Sequence, residues 1–262
     1  MPYVFGTHHE LLGPELWADA VLGDAQLLSA LRVMHGGQGE AWAFDVFAFD
    51  RLCKQKVGLQ QPHYPATLLT YYLLHQHGLF SAFPSLERAK LLNWLQAVEA
   101  AYLPANAYHT SLHAASVVAS LAFFLAQPTL ARQLSPLDWL AALLAAMVHD
   151  VGHPGVNNGF LEATRADVAV TYNDQAVLEN HHAALAFRLA AREECDWLEG
   201  LGEEQQRELR ETVCCLGLGT LTLTLTLTLT LTLTLTLTLT LTLTLTLTLT
   251  LTRCAAWCSV RR

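Results

Sequence analysis

The sequence predicts an all-α fold, a compact array of helices that ends near residue 216. Three observations carry that prediction. Apolar residues recur at helical spacings of three and four up to about residue 216. Strand-like alternation is absent until Leu221. Hydrophobic residues make up 52% of the 262 and charged residues 15%. That composition supplies one large core or two small ones and excludes global disorder.

The elements follow in chain order. Pro65 precedes a run, Leu68 to Leu79, rich in Leu and Tyr with His75 and His77 inside it. Leu86 to Tyr102 places Leu91, Leu92, Leu95, Val98 and Tyr102 on one helical face. Ser135-Pro136-Leu137-Asp138 is a helix start: a serine that can cap, a proline suited to the first turn, and an acid three residues after the cap. The helix it opens, through Trp139, Leu140, Leu143, Leu144, Met147 and Val148, is apolar on nearly every face, the pattern of a helix buried in mid-domain. Gly152-His153-Pro154-Gly155 stops it. Asn173-Asp174 offers a cap for the next helix, which runs through Val177, Leu178, His181, Leu185 and Arg188. Glu203 to Cys215 reads as another.

From Leu221 to Thr252 the chain repeats Leu-Thr sixteen times. The period suits a strand, but at about 3.3 Å per residue the tract would extend roughly 100 Å without a turn. It is expected to be a low-complexity insertion, not part of the fold. It is half threonine and lacks aromatic belts, and the apolar stretch Leu137 to Val148 is shorter than the ~20 residues a bilayer needs, so no membrane span is expected. The net charge of -8, without clustered Lys and Arg, argues against a nucleic-acid partner. Six scattered cysteines and no secretory signal point to reduced thiols in a cytoplasmic protein. Cys254 and Cys258 have no second Cys/His pair at zinc-site spacing.

The chemistry sits in the histidines. In Tyr108-His109-Thr110-Ser111-Leu112-His113-Ala114, two histidines stand four apart and share a face if the segment is helical. Spacing alone does not separate a metal-facing pair from a surface coincidence. In His149-Asp150-Val151-Gly152-His153-Pro154-Gly155, an adjacent His-Asp pair emerges from the end of the buried helix. Burying both is costly unless something compensates, and a divalent cation does so. Nitrogen and oxygen donors together suit Zn²⁺ or a similar transition ion, and the carboxylate can also reach a second, harder ion such as Mg²⁺. A satisfied core pair is the competing reading. The third group, Glu179-Asn180-His181-His182, reads by itself as a polar stripe on an amphipathic helix.

Together the three groups resemble the class I cyclic nucleotide phosphodiesterases. Tyr108 to Ala114 is similar to their YHNxxHA signature, His149 to Gly155 to their HDxxHPG signature within the wider HD metallohydrolase superfamily, and Tyr172 to Phe187 to the segment that follows, most like the cAMP-specific branches. The resemblance starts weakly near Trp42 and continues through Arg207 to Thr220. It implies a multi-helix domain at 41–220, flanked by residues 1–40 of unclear role, the repeat at 221–252 and a tail at 253–262. It implies that His113, His149 and Asp150 are metal ligands, with Asp150 touching two divalent cations, Zn and Mg or Mn. It implies that His109 protonates the leaving O3′, that His153 and Glu179 hold metal-bound water, and that Tyr108 lines the nucleotide pocket. The implied reaction is hydrolysis of a 3′,5′-cyclic nucleotide, cAMP favoured, to the 5′-monophosphate.

Thr110, Ser116 and Gly152 depart from the family pattern, which has Asn, Asp and Asp there, and changes around a metal site can cost about 10–100-fold in metal affinity or activity. No Asp or Glu follows Glu211, whereas the family has a further Asp ligand and its base pocket beyond the resembling stretch. The expectation is therefore an incomplete catalytic domain with weak or no activity. The alternatives are a catalytically dead phosphodiesterase-like interaction domain and another HD-type phosphohydrolase. If the incompleteness comes from the gene model, sequencing the transcript across 216–253 will show a different continuation; confirmation of the tract and tail removes that explanation.

Overall fold

The structure, a computed structural model, describes residues 23–35, 44–57 and 64–216. The Leu-Thr tract, the tail, Cys254, Cys258, Trp42 and much of residues 1–40 lie outside the described residues. Among the described residues every regular element is a helix, as the apolar spacing predicts.

Helix α1, Ala25–Arg32, is capped by the Asp24 carboxylate, which accepts from the Gln26 and Leu27 amides, and it buries Leu27 and Leu31. Asp45 does the same for α2, Val46–Val57, accepting from Phe47 N and Ala48 N at 2.9 Å. Helix α3, Pro65–Gln76, has proline in its first turn and is buried along its first ten residues, including Thr67 and Thr70. The run expected to reach Leu79 is divided. Gly78 takes the left-handed region at φ +69°, and a separate short helix, α4, Leu79–Ala82, follows. Next come α5, Arg88–Ala100, α6, Ser111–Leu125, and the short α7, Pro128–Ala131.

Helix α8, Pro136–Val148, begins with the expected capping box, Ser135 and Asp138 bonding each other's backbone. Every residue from Trp139 to Val148 is buried. It packs against α6 and α3, which also pack on each other, while α5 adds a further face. One cluster of buried side chains joins Leu27 and Leu31 of α1 to Leu209 and Val213 of the last helix. Two short helices, α9, Asn158–Ala163, and α10, Asp167–Thr171, join the start of α11, Val177–Ala190, in a smaller cluster of Leu161, Ala169, Val177 and Leu178. The helix α12, residues 203–216, ends the described chain.

One expected cap is corrected. Asn173 and Asp174 do not cap α11; both are left-handed (φ +54° and +56°), and Ala176 precedes the helix at φ +42°. The Asp174 amide donates back to Ala169 O at 3.0 Å, so the pair reverses the chain between α10 and α11. Asn and Asp tolerate that conformation better than other side chains.

The start of α3 is satisfied from outside its own sequence. The Glu99 carboxylate on α5 accepts from Ala66 N at 3.1 Å and Thr67 N at 2.7 Å, taking two amides that a helix N-terminus leaves unpaired. Burial pushes the Glu99 carboxyl up to about 7, against the pull of those hydrogen bonds. No described helix is long and apolar enough to cross a membrane, and Cys53 and Cys195 are free thiols.

Because Glu99 holds its proton more tightly folded than unfolded, its contribution to stability is full below about pH 4.5 and is lost as pH rises to about 7. Glu99→Gln removes that dependence. Urea unfolding at pH 5 and pH 8 should show the wild type losing on the order of 2 kcal/mol more than the variant between the two. Equal losses would contradict the assignment.

Candidate metal centre and active site

The site forms where three chain segments meet: the loop between α5 and α6, the end of α8 with the turn after it, and the first turns of α11. Helix α6 begins at Ser111, so His113 lies in its first turn while His109 lies before it. The shared helical face expected of His109 and His113 is thus not how they meet. His109 arrives from the loop, and its ring stands edge-on to His113 with centroids 6.2 Å apart.

His149 is the C-terminal cap of α8 and Asp150 follows it. Helix ends leave carbonyl groups without intrahelical partners, and here side chains take them. His149 Nδ1 lies 2.8 Å from Ala146 O. A carbonyl only accepts, so Nδ1 carries a hydrogen and Nε2 is the ring nitrogen left to face the site. The Tyr102 hydroxyl donates to Met147 O at 2.9 Å and lies 3.4 Å from the Asp150 amide.

Three donor atoms then converge. His113 Nε2 lies 3.2 Å from His149 Nε2, His149 Nε2 lies 3.2 Å from Asp150 Oδ2, and His113 Nε2 lies 3.4 Å from Asp150 Oδ2. An ion with ligands at about 2.0–2.1 Å sets its neighbouring ligands about 3.0–3.4 Å apart, from octahedral to tetrahedral geometry. The near-equilateral triangle fits that requirement. Burial raises the carboxyl's proton affinity, but the His113 and His149 imidazoles outweigh it and hold Asp150 well below the usual carboxylate range.

A second group of possible donors is His109, Asp150 and His153, so Asp150 is common to both. The rings of His109 and His153 are stacked, with centroids 3.7 Å apart and planes within 10°. Imidazole lone pairs lie in the ring plane, so the lone pairs of two rings stacked in near-parallel planes do not meet at one ion. His113 and His149 cross at 66°, which permits convergence. The geometry separates a donor triangle from a neighbouring pair free for other work. Burial lowers the proton affinity of His109 and His153, with nearby imidazoles adding to the effect.

The other expected residues are placed as follows. Tyr108 is 63% exposed at the rim, its ring 4.4 Å from that of His113. His153 is buried, and its Nδ1 accepts from the Gly155 amide at 3.0 Å. Glu179 lies outside both donor groups; it accepts from Asn158 Nδ2 at 3.0 Å while acting on His153 through its charge. Gly152 is left-handed at φ +70°, and a Cβ there would fall 2.5 Å from Leu185 Cδ2. The larger residue that the family pattern has at this position would require Leu185 to move.

Two residues at the site go beyond the expected set. His182 is 3% exposed; its Nδ1–H donates to Val151 O at 2.8 Å and its Nε2 lies 3.8 Å from Asp150 Oδ1. Burial pushes His182 down to about 4, so it is neutral at pH 7. The helical spacing of Leu178, His182, Ala186 and Leu189 marks His182 as the inward member of the stripe. Tyr102 carries no comparable signal, because only the tertiary structure brings its hydroxyl to α8.

Comparison with known proteins finds a family model, curated relatives and solved structures similar to this chain. Residues 108–220 match the family model of the 3'5'-cyclic nucleotide phosphodiesterases. The chain is 36% identical over 182 residues to the human high affinity cAMP-specific and IBMX-insensitive 3',5'-cyclic phosphodiesterase 8A, an alignment covering 69% of this chain and 21% of that protein. It is 38% identical over 179 residues to the rat 3',5'-cyclic-AMP phosphodiesterase 4C, covering 68% of this chain and 32% of that one. The chain thus spans about a fifth to a third of the length of these curated relatives. Among solved structures, the phosphodiesterase domain of Salpingoeca rosetta rhodopsin phosphodiesterase superposes with a TM-score of 0.60 at 28% identity, covering 73% of this chain and 53% of that one. Over residues 108–220, the chain belongs to the 3'5'-cyclic nucleotide phosphodiesterase family.

Proposed function

We propose that this site hydrolyses the 3′,5′-cyclic phosphate of a cyclic nucleotide, cAMP favoured, to the 5′-monophosphate with the help of two divalent ions, Zn and Mg or Mn. The observation that carries the reading is the donor triangle beside a stacked His109 that is not aimed into it. His113, His149 and Asp150 are proposed to hold the ions, with Asp150 common to both. The ions, when bound, supply a water activated as nucleophile and offset the charge on the phosphoryl oxygens. His109 is proposed to deliver a proton to the departing O3′. Its burial lowers its proton affinity, and a phosphate anion beside it acts in the opposite direction. His153 and Glu179 are proposed to orient water around the ions, and Tyr108 to line the nucleotide's entry. The preference for cAMP rests on the two relatives being cAMP phosphodiesterases by name. The free thiols of Cys53 and Cys195 support a reducing, cytoplasmic setting.

A second reading is favoured by donor count. The triangle offers three protein donors, enough to hold an ion without turnover, as in a metal-binding interaction domain.

The purified chain should hydrolyse cAMP weakly but faster than cGMP when Zn²⁺ and Mg²⁺ are present, and chelation should abolish the activity. Folded, metal-loaded protein that leaves both cyclic nucleotides intact supports the second reading. The roles separate by substitution. His113→Ala should lose both metal affinity and turnover. His109→Ala should keep metal affinity within a few-fold while turnover falls by about 10²–10⁴. A His109→Ala protein that loses metal as severely as His113→Ala would remove the proton-donor assignment.

A further inference from the structure

We infer that Asn106 is a positioning residue that clasps the two halves of the active site and sets the face-to-face arrangement of His109 and His153. The inference deepens the hydrolytic reading, and it rests on that reading only for its consequence on turnover.

Asn106 lies in the loop between α5 and α6, three residues before His109. Its Nδ2 donates to His109 O at 3.2 Å and to His153 O at 2.7 Å. Both neighbours are carbonyl oxygens, so the amide nitrogen is the only end of the side chain that suits them. One carboxamide therefore uses both its hydrogens to join segments 47 positions apart in the chain. Its other end is fitted as well. Gly155 is left-handed at φ +82°, and a Cβ on it would fall 2.8 Å from Asn106 Oδ1. The glycine leaves the room that the carboxamide oxygen occupies.

The clasp acts on the rings through the backbone. His153 is held at two points: its carbonyl by Asn106 and its Nδ1 by the Gly155 amide. An amide N–H only donates, so neutral His153 carries its hydrogen on Nε2. His109, tied through its own carbonyl to the same carboxamide, lays its ring on that of His153 at 3.7 Å. Asn106 has no part in either donor group. Its removal should leave the metal in place and displace the proton donor, and a displacement of about 1 Å can cost on the order of 10²-fold in rate.

The test uses the full chain with Asn106→Asp, which keeps the shape but replaces the two donor hydrogens with oxygen, and Asn106→Ser, which keeps one donor. Histidine-ring NMR should show strong upfield ring-current shifts for His109 and His153 in the wild type. Those shifts should be lost in Asn106→Asp and partly kept in Asn106→Ser. Zinc affinity by chelator competition should change less than about threefold. Where turnover is measurable, kcat should fall about 10–100-fold with little change in KM. In the unmutated protein, both Asn106 side-chain amide protons should exchange slowly with solvent, a readout that does not require the variants to fold. Retained ring shifts and unchanged kcat in Asn106→Asp, or fast exchange of both amide protons in the wild type, would overturn the clasp. Lost ring shifts in a chain without hydrolysis would leave the clasp standing and count only against the hydrolytic reading.

Discussion

The structure depends on how an apolar helix, buried from Trp139 to its last residue, ends. Helix α8 is inaccessible from Trp139 to Val148, so its last carbonyls cannot turn to water, and orphaned buried carbonyls are costly. The chain resolves this with side chains. His149 folds back onto Ala146 O and Tyr102 reaches Met147 O. That solution orients the chemistry. Folding back points His149 Nε2 toward His113 and Asp150, and the Tyr102 hydroxyl stands beside the Asp150 amide. The rest of the array sets the positions of those partners: α6 packs on α8 and brings His113, and α11 brings His182 under Asp150.

The same economy of polar groups recurs elsewhere in the interior. Glu99 serves the start of α3, Asn158 joins α9 to α11 by donating to Glu179 and accepting from the Leu178 amide, and Trp94 Nε1 donates to Ala186 O. Each polar side chain in this set bonds an element other than its own. Such links carry specificity beyond what apolar packing supplies, because moving one element strands a polar group on another.

This pattern explains what could be read from the sequence. Helix α8 was legible in full, since its capping box and all-round apolarity are local signals. The five- and six-residue helices α9 and α10 are too short to show a period. Asn173 and Asp174 look like a cap and act as a left-handed reversal, a choice made by the chain returning from α10. At the site, His113, His149 and Asp150 were named by the resemblance of their motifs and not by spacing, and their donor atoms lie 3.2–3.4 Å from one another in the structure. His109 was found for a reason the structure replaces, since it lies outside α6 and is held by its stack on His153. Tyr102 and Asn106 were invisible as site residues because their partners lie 45 and 47 positions away.

The central claim is that the end of α8 presents a preformed divalent-metal site. Anomalous diffraction at the zinc edge, from crystals of the full chain grown with zinc, tests it most directly. The account predicts a peak about 2.1 Å from His113 Nε2, His149 Nε2 and Asp150 Oδ2 together. No peak there, or one coordinated instead by the stacked pair His109 and His153, would contradict it.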